Sequence, residues 1–175
     1  MKTVRNMIYN INRTMEHDPA AHSKLEVLLL YPHIKALLFY RLSHRLYRWH
    51  LFFLARFFSN IGRFWTNIEV HPGAQIGKGL VIDHGTGVVI GETAVIGDDC
   101  LIYHGVTLGG TGKEHCKRHP TLLNGVMCGT GAKILGNVTI GNRVKVGANA
   151  VVTCDVPDDH TVVGINRIIK KNEVK

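Results

Sequence analysis

Imidazole groups stand close to carboxylate or guanidinium side chains in two short stretches of the sequence. The first contains Asp83 and His84, and the second, residues 109–121, contains Arg118 and His119. A neutral imidazole can take a proton from an alcohol near neutral pH. Carboxylates hold cationic groups, and arginine holds carboxylates. These residue types therefore indicate a site where His84 acts as a base and Asp83 holds a cationic part of a substrate.

Both stretches interrupt a six-residue repeat. Apolar residues recur six apart at Ile76 and Ile82, then in two further arrays: Ile90, Ile96, Ile102, Leu108, and Leu122, Cys128, Ile134, Ile140, Val146, Val152. Six is an even number, so an extended chain returns each of these residues to the same face, whereas a helix needs a period near 3.6. Repeats this short bury their apolar residues only by stacking. From Val70 onward, the sequence predicts a parallel β-helix with these residues inside.

The interruptions are where chemistry is expected, because functional groups are often carried by loops on a rigid scaffold. Between Ile82 and Ile90 the step is eight, and the segment GGTGKEHCKRHPT, residues 109–121, fits no repeat and must protrude as a loop. If three six-residue steps make one turn, His84 and His104 stack on adjacent turns. The loop is then expected to fold back and bring Arg118 and His119 beside them.

The first 66 residues are predicted to form several helices, and residues 67–175 the β-helix with a C-terminal tail. Asp18-Pro19 is typical of a helix start, and so is Tyr31-Pro32. The apolar segment HLFFLARFFSNIGRFW is short and broken by Arg56, so it is expected to pack as a helix on its neighbours rather than span a membrane. Lying on a membrane surface is the alternative.

Composition narrows the class of partner and the compartment. The formal net charge of +8 suits an anionic partner, but the basic residues are spread along the chain, which argues against nucleic acid and leaves a phosphorylated cofactor. The four cysteines show no CxxC pair, which predicts reduced thiols. The N-terminus has no apolar stretch typical of a signal peptide, so a cytoplasmic location is expected.

Longer motifs make the chain resemble one family. The runs IEVHPGAQIGKGLVIDHGTGVVIGETAVIG, GVTLGGTGKEHCKRHPT and GAKILGNVTIG, with HDPAA near Asp18, are similar to serine O-acetyltransferases of the hexapeptide-repeat acyltransferase superfamily. The resemblance implies an α+β chain, in which an N-terminal helical region precedes a left-handed parallel β-helix with a protruding loop. It also implies homotrimers with active sites between subunits, and acetyl transfer from acetyl-CoA to L-serine in cysteine biosynthesis, with no metal.

The same resemblance assigns residues to roles. It implies that His84 is the general base, oriented by Glu69, and that serine is held by Asp18, Asp83, Arg118 and His119. The backbone N–H of Gly110 is expected to face the thioester oxygen. Acetyl-CoA is expected to contact Gly110, Thr111, Thr130, Lys145 and Ala148.

Several positions depart from the family pattern. Glu69 stands where some members have aspartate, and His104 where many have glutamine, so His104 is predicted to lie near the base and to tune it. The segment GINRII lacks a proline common in relatives, which affects the expected coenzyme A contacts. The short helical region favours a lone trimer over a dimer of trimers. The chain ends Glu173-Val174-Lys175 and not in isoleucine, so a complex with O-acetylserine sulfhydrylase is not expected.

Three alternatives stay open at this point. Homoserine or another small amino alcohol could replace serine as the acceptor, because few side chains separate such substrates. A β-helix zinc hydratase would need three converging histidines, of which His84 and His104 could supply two. A non-enzymatic β-helix scaffold is possible, but it does not explain why both repeat breaks carry charged and imidazole groups.

Overall fold

The structure, a computed structural model, describes residues 2–112, 116–165 and 167–170, with the backbone alone for residues 2–4 and 167–170. Three features of the sequence lie outside the described residues: Lys113 of the loop motif, Asn166 of GINRII and the chain end Glu173-Val174-Lys175. The helical region and the repeat region are described almost throughout.

Four helices come first: α1 (Lys2–His17), α2 (Lys24–Leu30), α3 (Pro32–Arg48) and α4 (Phe52–Thr66). Tyr31-Pro32 starts α3 as predicted, with Pro32 in the first turn, where its missing N–H costs nothing. The last helix ends at Thr66 and the first strand begins at Ile68, close to the boundary expected from the change of period.

The helix start predicted at Asp18-Pro19 is wrong. Asp18 begins a turn in which its Oδ1 accepts the N–H of Ala20 at 2.8 Å. Helix α2 begins later, where the hydroxyl of Ser23 accepts the N–H of Glu26 at 3.1 Å. The Glu26 carboxylate in turn accepts the N–H of His22 at 3.0 Å. This reciprocal cap at Ser23 fixes the helix start five residues after Asp18 and leaves the Asp18 carboxylate outside the helix.

The rest of the described chain forms three sheets that wind into a β-helix. Sheet A contains β1 (Ile68–Val70), β4 (Val88–Ile90), β7 (Thr107–Gly109), β10 (Lys133–Leu135) and β13 (Val151–Val152). Sheet B contains β2 (Gln75–Ile76), β5 (Val95–Ile96), β8 (Thr121–Leu122) and β11 (Thr139–Ile140). Sheet C contains β3 (Val81–Asp83), β6 (Leu101–Tyr103), β9 (Met127–Cys128), β12 (Lys145–Val146), β14 (His160–Val163) and β15 (Arg167–Lys170).

The strand register confirms three six-residue steps per turn. Cys128 pairs with Val146, 18 residues later, in a parallel ladder. Ile82 pairs with Ile102, 20 residues later, because that turn includes the two surplus residues. Apart from Ile76, which is partly buried, the repeat positions are buried inside the shaft. The predicted β-helix is confirmed; β14 and β15 end it with an antiparallel pair.

The helices close one end of the shaft. Ala36, Leu37 and Tyr40 of α3 belong to the same buried apolar cluster as the β-helix interior. The hydroxyl of Ser59 in α4 donates to the carbonyl oxygen of Val70 at 2.8 Å, which ties α4 to the end of β1. The opposite face of α4 is exposed, with Phe53 and Phe64 both 82% accessible. None of the described helices is long and apolar enough to cross a membrane.

Candidate active site

The two surplus residues in the repeat form a turn that presents His84. This turn lies on the edge where the chain passes from sheet C to sheet A, called here the C–A edge. His84 has a φ of 59° and Gly85 a φ of 69°. Left-handed backbone is uncommon outside glycine and is found at functional sites. The turn exposes the imidazole of His84 directly after Asp83, the last residue of β3.

His84 and His104 stack as predicted. Asp83 pairs with Tyr103 between β3 and β6, which places the following histidines one above the other on the C–A edge. Their ring centroids are 5.8 Å apart with an interplanar angle of 84°. His104 therefore lies beside the expected base, on the next turn.

Asp18, Asp83 and His84 line one cleft of about 320 Å³ between the β-helix and the helices. These three residues are called here the acidic half-site. One Asp18 oxygen accepts the Tyr31 hydroxyl at 2.5 Å and the other accepts the N–H of Ala20 at 2.8 Å. The hydrogen bond from Tyr31, then that from Ala20, lowers the pKa of Asp18, and the positive form of His84 acts in the same direction. Asp18 is thus held as a carboxylate facing the imidazole.

Arg118 and His119 do not lie beside His84 in the same chain, so this part of the prediction is wrong. They lie on the edge where the chain passes from sheet A to sheet B, called here the A–B edge, over Glu92 and Thr93. The loop leaves after β7 and returns at β8, and it stays on that edge. The width of sheet A therefore separates these residues from the acidic half-site within one chain.

His119 is held as a neutral ring. Its Nδ1 accepts the backbone N–H of Thr93 at 3.2 Å and lies 2.9 Å from the Thr93 hydroxyl. Because Nδ1 is an acceptor, the proton of the neutral ring is on Nε2. Burial, and next the positive charge of Arg118, lowers the pKa of His119. His119 is 8% exposed, and its ring is fixed with Nε2 as the hydrogen-bond donor.

Arg118 is oriented by a carboxylate that the sequence analysis missed. Its Nη2 lies 2.5 Å from an oxygen of Glu92, whose other oxygen accepts the Tyr47 hydroxyl at 3.1 Å. Burial acts to raise the pKa of Glu92, but the hydrogen bonds from Arg118 and Tyr47 lower it. Thr93 adds a second anchor, because its hydroxyl oxygen accepts the N–H of Arg118 at 3.0 Å.

Gly110 and Thr111 share the A–B edge with these residues. A side-chain carbon added at Gly110 would lie 3.1 Å from Nε2 of His119, so the Gly110 backbone runs beside that ring. A carbon added at Gly136, one turn further on, would lie 3.0 Å from the Thr111 hydroxyl oxygen. Gly110, Arg118 and His119 are called here the basic half-site.

The other expected coenzyme contacts follow the C–A edge. The N–H of Gly131 donates to the carbonyl oxygen of His104 at 2.9 Å, and the N–H of Asn149 donates to that of Thr130 at 2.7 Å. His84, His104, Thr130 and Ala148 therefore occupy the same edge on successive turns. Lys145 is exposed on β12, three residues before Ala148.

Glu69 lies on β1 of sheet A, between the two edges. Its carboxylate forms an ion pair with Arg63 at 3.0 Å, with side chains that are 33% and 59% exposed. Exposed ion pairs of this kind contribute little free energy, about 0–1 kcal/mol. The pairing of Glu69 with His84 stays a prediction.

Comparisons with known proteins agree with this architecture. The family described as bacterial transferase hexapeptide (six repeats) matches residues 119–154. A serine acetyltransferase of Helicobacter pylori is 61% identical over 156 residues, which cover 89% of this chain and 91% of that protein. The crystal structure of Neisseria gonorrhoeae serine acetyltransferase matches with a TM-score of 0.93 at 41% identity, covering 96% of this chain and 65% of that one.

The chain belongs to the serine acetyltransferase family. The family and its enzyme class, acyltransferase, are thereby confirmed as predicted. A structure of the Neisseria enzyme in complex with serine matches with a TM-score of 0.92 at 40% identity, covering 96% of this chain and 69% of that one. A serine acetyltransferase in complex with cysteine gives 0.94 at 40% identity, covering 98% of this chain and 67% of that one. This serine acetyltransferase chain thus spans about two thirds of the solved chains.

Two further observations concern this candidate active site. Tyr31, Glu92 and Thr93 were missed by sequence reasoning, because each acts through a contact 13 to 26 residues away along the chain. No signal in the sequence singled out Glu92 and Thr93, because GETA has the same pattern as GDDC and GNRV elsewhere in the repeat. Among the described residues, no three histidine, cysteine, aspartate or glutamate side chains come together as a group that could hold a metal ion.

Proposed function

We propose that this chain transfers acetyl from acetyl-CoA to the hydroxyl of L-serine at sites shared by two neighbouring copies. The observation that carries the proposal is the division of the expected site residues between two edges of sheet A. Asp18, Asp83 and His84 are on one edge, and Arg118 and His119 are on the other. A neighbour that sets its A–B edge against this chain's C–A edge completes the site.

The charges of the two half-sites fit the two ends of an amino acid. The carboxylates of Asp18 and Asp83 suit the ammonium group, and Arg118, already aligned by Glu92, suits the carboxylate. His119 presents its Nε2 proton as a further donor. The complex of the Neisseria relative with serine supports this choice of acceptor.

The reaction needs one base and one donor for developing negative charge. His84 takes the proton of the serine hydroxyl while the oxygen attacks the thioester carbonyl carbon. The backbone N–H of Gly110 stabilises the carbonyl oxygen as it becomes negative. The C–S bond then breaks, and the thiolate of coenzyme A takes the proton held by His84. One C–O bond has replaced one C–S bond, and no acyl-enzyme is formed.

Glu69 orients His84 in this proposal. To do so, its carboxylate exchanges the exposed ion pair with Arg63 for a hydrogen bond to the imidazole. The exchange costs little because both partners of the ion pair are accessible to water. Acetyl-CoA would extend from His84 along the C–A edge past Thr130, Lys145 and Ala148, where the exposed ammonium of Lys145 suits a phosphate.

Assembly as a closed ring is part of the proposal, because each copy offers one half-site on each edge of sheet A and a closed ring uses every half-site once. Three copies per ring is the number that the hexapeptide-repeat family suggests. The exposed aromatic residues of α4, including Phe53, Phe64 and Trp65, lie on the helix that packs against the first strand of sheet A. Burial of this apolar face by neighbouring copies would remove it from water.

A cytoplasmic location is part of the proposal. Cys100 and Cys128 are free thiols buried inside the shaft, and burial raises the pKa of Cys100 to about 11. Thiols kept protonated in this way suit a reducing compartment.

The test is release of coenzyme A thiol by the purified protein with L-serine, L-homoserine or no acceptor. We expect serine-dependent release, with a loss of at least about a hundredfold in His84→Ala, as is usual when a general base is removed. A preference for homoserine would change the substrate and keep the mechanism. Absence of acceptor-dependent release from folded protein would contradict the proposed function, as would activity that requires stoichiometric zinc.

A further inference from the structure

A second and larger cleft lies away from the C–A edge, between α3, α1 and the first turn of the β-helix. Its volume is about 930 Å³, and it shares no lining residue with the cleft that contains His84. Pockets of about 300–1,000 Å³ are typical of small-molecule sites. The cleft is therefore large enough for a ligand of nucleotide size.

The helical wall of this cleft is strongly cationic. Arg41, Arg45 and Arg48 follow one another at steps of four and three residues, so they lie on one face of α3 and all three line the cleft. Among the described residues, none of those that line it carries a carboxylate. Like charges at this helical spacing repel one another, and burial lowers the pKa of the Arg41 guanidinium. A bound anion would relieve both effects.

The cleft also has a histidine ring held in a fixed position and an exposed aromatic surface. Nδ1 of His44 lies 2.8 Å from the carbonyl oxygen of Pro72, so this nitrogen carries a proton and the ring is held in place. Trp49 follows Arg48 at the rim, with 63% of its surface exposed. An indole exposed beside guanidinium groups suits a planar aromatic ring attached to phosphates.

We propose that this cleft binds a nucleoside diphosphate or triphosphate, with its phosphates on Arg41, Arg45 and Arg48 and its base against Trp49. The site shares no lining residue with the cleft of the acidic half-site, and it adjoins the basic half-site, because Tyr47, Gly73 and Gln75 also line the cleft that contains Arg118. Binding can be measured without serine or acetyl transfer, because His84 does not line this cleft.

The experiment uses the fluorescence of Trp49. The chain has two tryptophans, so Trp65→Phe leaves Trp49 as the only reporter. The full-length protein is titrated with ADP at constant ionic strength and without coenzyme A, because coenzyme A itself carries an adenosine diphosphate group. We expect a saturable change in Trp49 emission that inorganic pyrophosphate reverses by competition.

Two matched variants decide whether the arginines carry the binding. Arg45→Gln with Arg48→Gln should weaken ADP binding about tenfold or more, because charge-assisted hydrogen bonds are lost. Lys24→Gln with Lys35→Gln removes the same charge from exposed positions outside the cleft and should leave the affinity unchanged. No saturable change, or a weakening by the arginine pair no greater than that by the lysine pair, would overturn the proposal. A failed acetylation assay would not overturn it, because that assay tests the acetyl-transfer site.

Discussion

At the scale of single residues, the sequence identified the acid and imidazole groups but not what holds them. Asp83, His84 and His104 could be placed, because the repeat fixes their position on the shaft once the step of eight is recognised. The hydrogen bonds by which Tyr31 and Glu92 hold Asp18 and Arg118 could not be predicted from the sequence. They depend on contacts between a helix and a distant segment or across the A–B edge. Such contacts depend on how the helices dock, which periodicity does not encode.

Tyr31 should matter for the amino-acid acceptor and not for the acyl donor. Tyr31→Phe removes the 2.5 Å hydrogen bond to Asp18, and we expect the KM for serine to rise about tenfold with an unchanged KM for acetyl-CoA. The hydrogen bond lowers the pKa of Asp18, so its loss raises that pKa. The acidic pH at which serine binding weakens should therefore shift upward in the variant.

Tyr9 supplies a matched control. A hydrogen bond with Asp99 raises the pKa of Tyr9, and neither residue lines the cleft of the acidic half-site. Tyr9→Phe should leave the serine KM and its pH profile unchanged. Equal effects of the two variants would contradict a positioning role for Tyr31.

His104 should alter the pH dependence of the reaction. Its ring centroid lies 5.8 Å from that of His84. His104→Gln replaces an ionisable ring beside the proposed base with a neutral amide, so the profile of kcat/KM against pH should change. An unchanged pH–rate profile would refute the tuning.

At the scale of elements, the regular parts of the fold were predictable and the loop position was not. Buried residues such as Ile90, Ile96 and Ile102 recur at a fixed spacing of six, so the β-helix follows from the sequence. The loop carrying Arg118 and His119 was expected beside His84. It stays on the A–B edge because Thr93 and Glu92 accept hydrogen bonds from Arg118 there. The lack of a side chain at Gly91 also leaves room for the ring of His119.

Gly91 should be required for this position of the loop. A side-chain carbon at this position would lie 1.9 Å from Cδ2 of His119, and the backbone of Gly91 is not in the left-handed region. Gly91→Ala should therefore fold but displace the imidazole, lowering kcat/KM for serine about tenfold or more. Serine kinetics and the temperature midpoint of unfolding are the measurements. Wild-type kinetics would show that the position of His119 is not needed.

At the scale of the whole molecule, the residues proposed for one site lie on two edges of the same chain. Sheet A lies between Asp83-His84 and Arg118-His119, and the shaft gives no means of bringing them together. The family resemblance already implied sites between subunits. The expectation that the loop folds back beside His84 did not take into account that the two repeat breaks fall on different edges of the shaft.

The central claim is that each active site takes His84 from one copy and Arg118 from its neighbour. The most direct test mixes His84→Ala chains with Arg118→Ala chains at equal amounts after dissociation and reassembly, and measures serine-dependent thiol release. Each variant alone should be nearly inactive. In a random mixture about a quarter of the interfaces would pair an intact His84 with an intact Arg118, so about a quarter of wild-type activity should return. If the mixture stays as inactive as its parents although mixed assemblies form, the site lies within one chain and the account is contradicted.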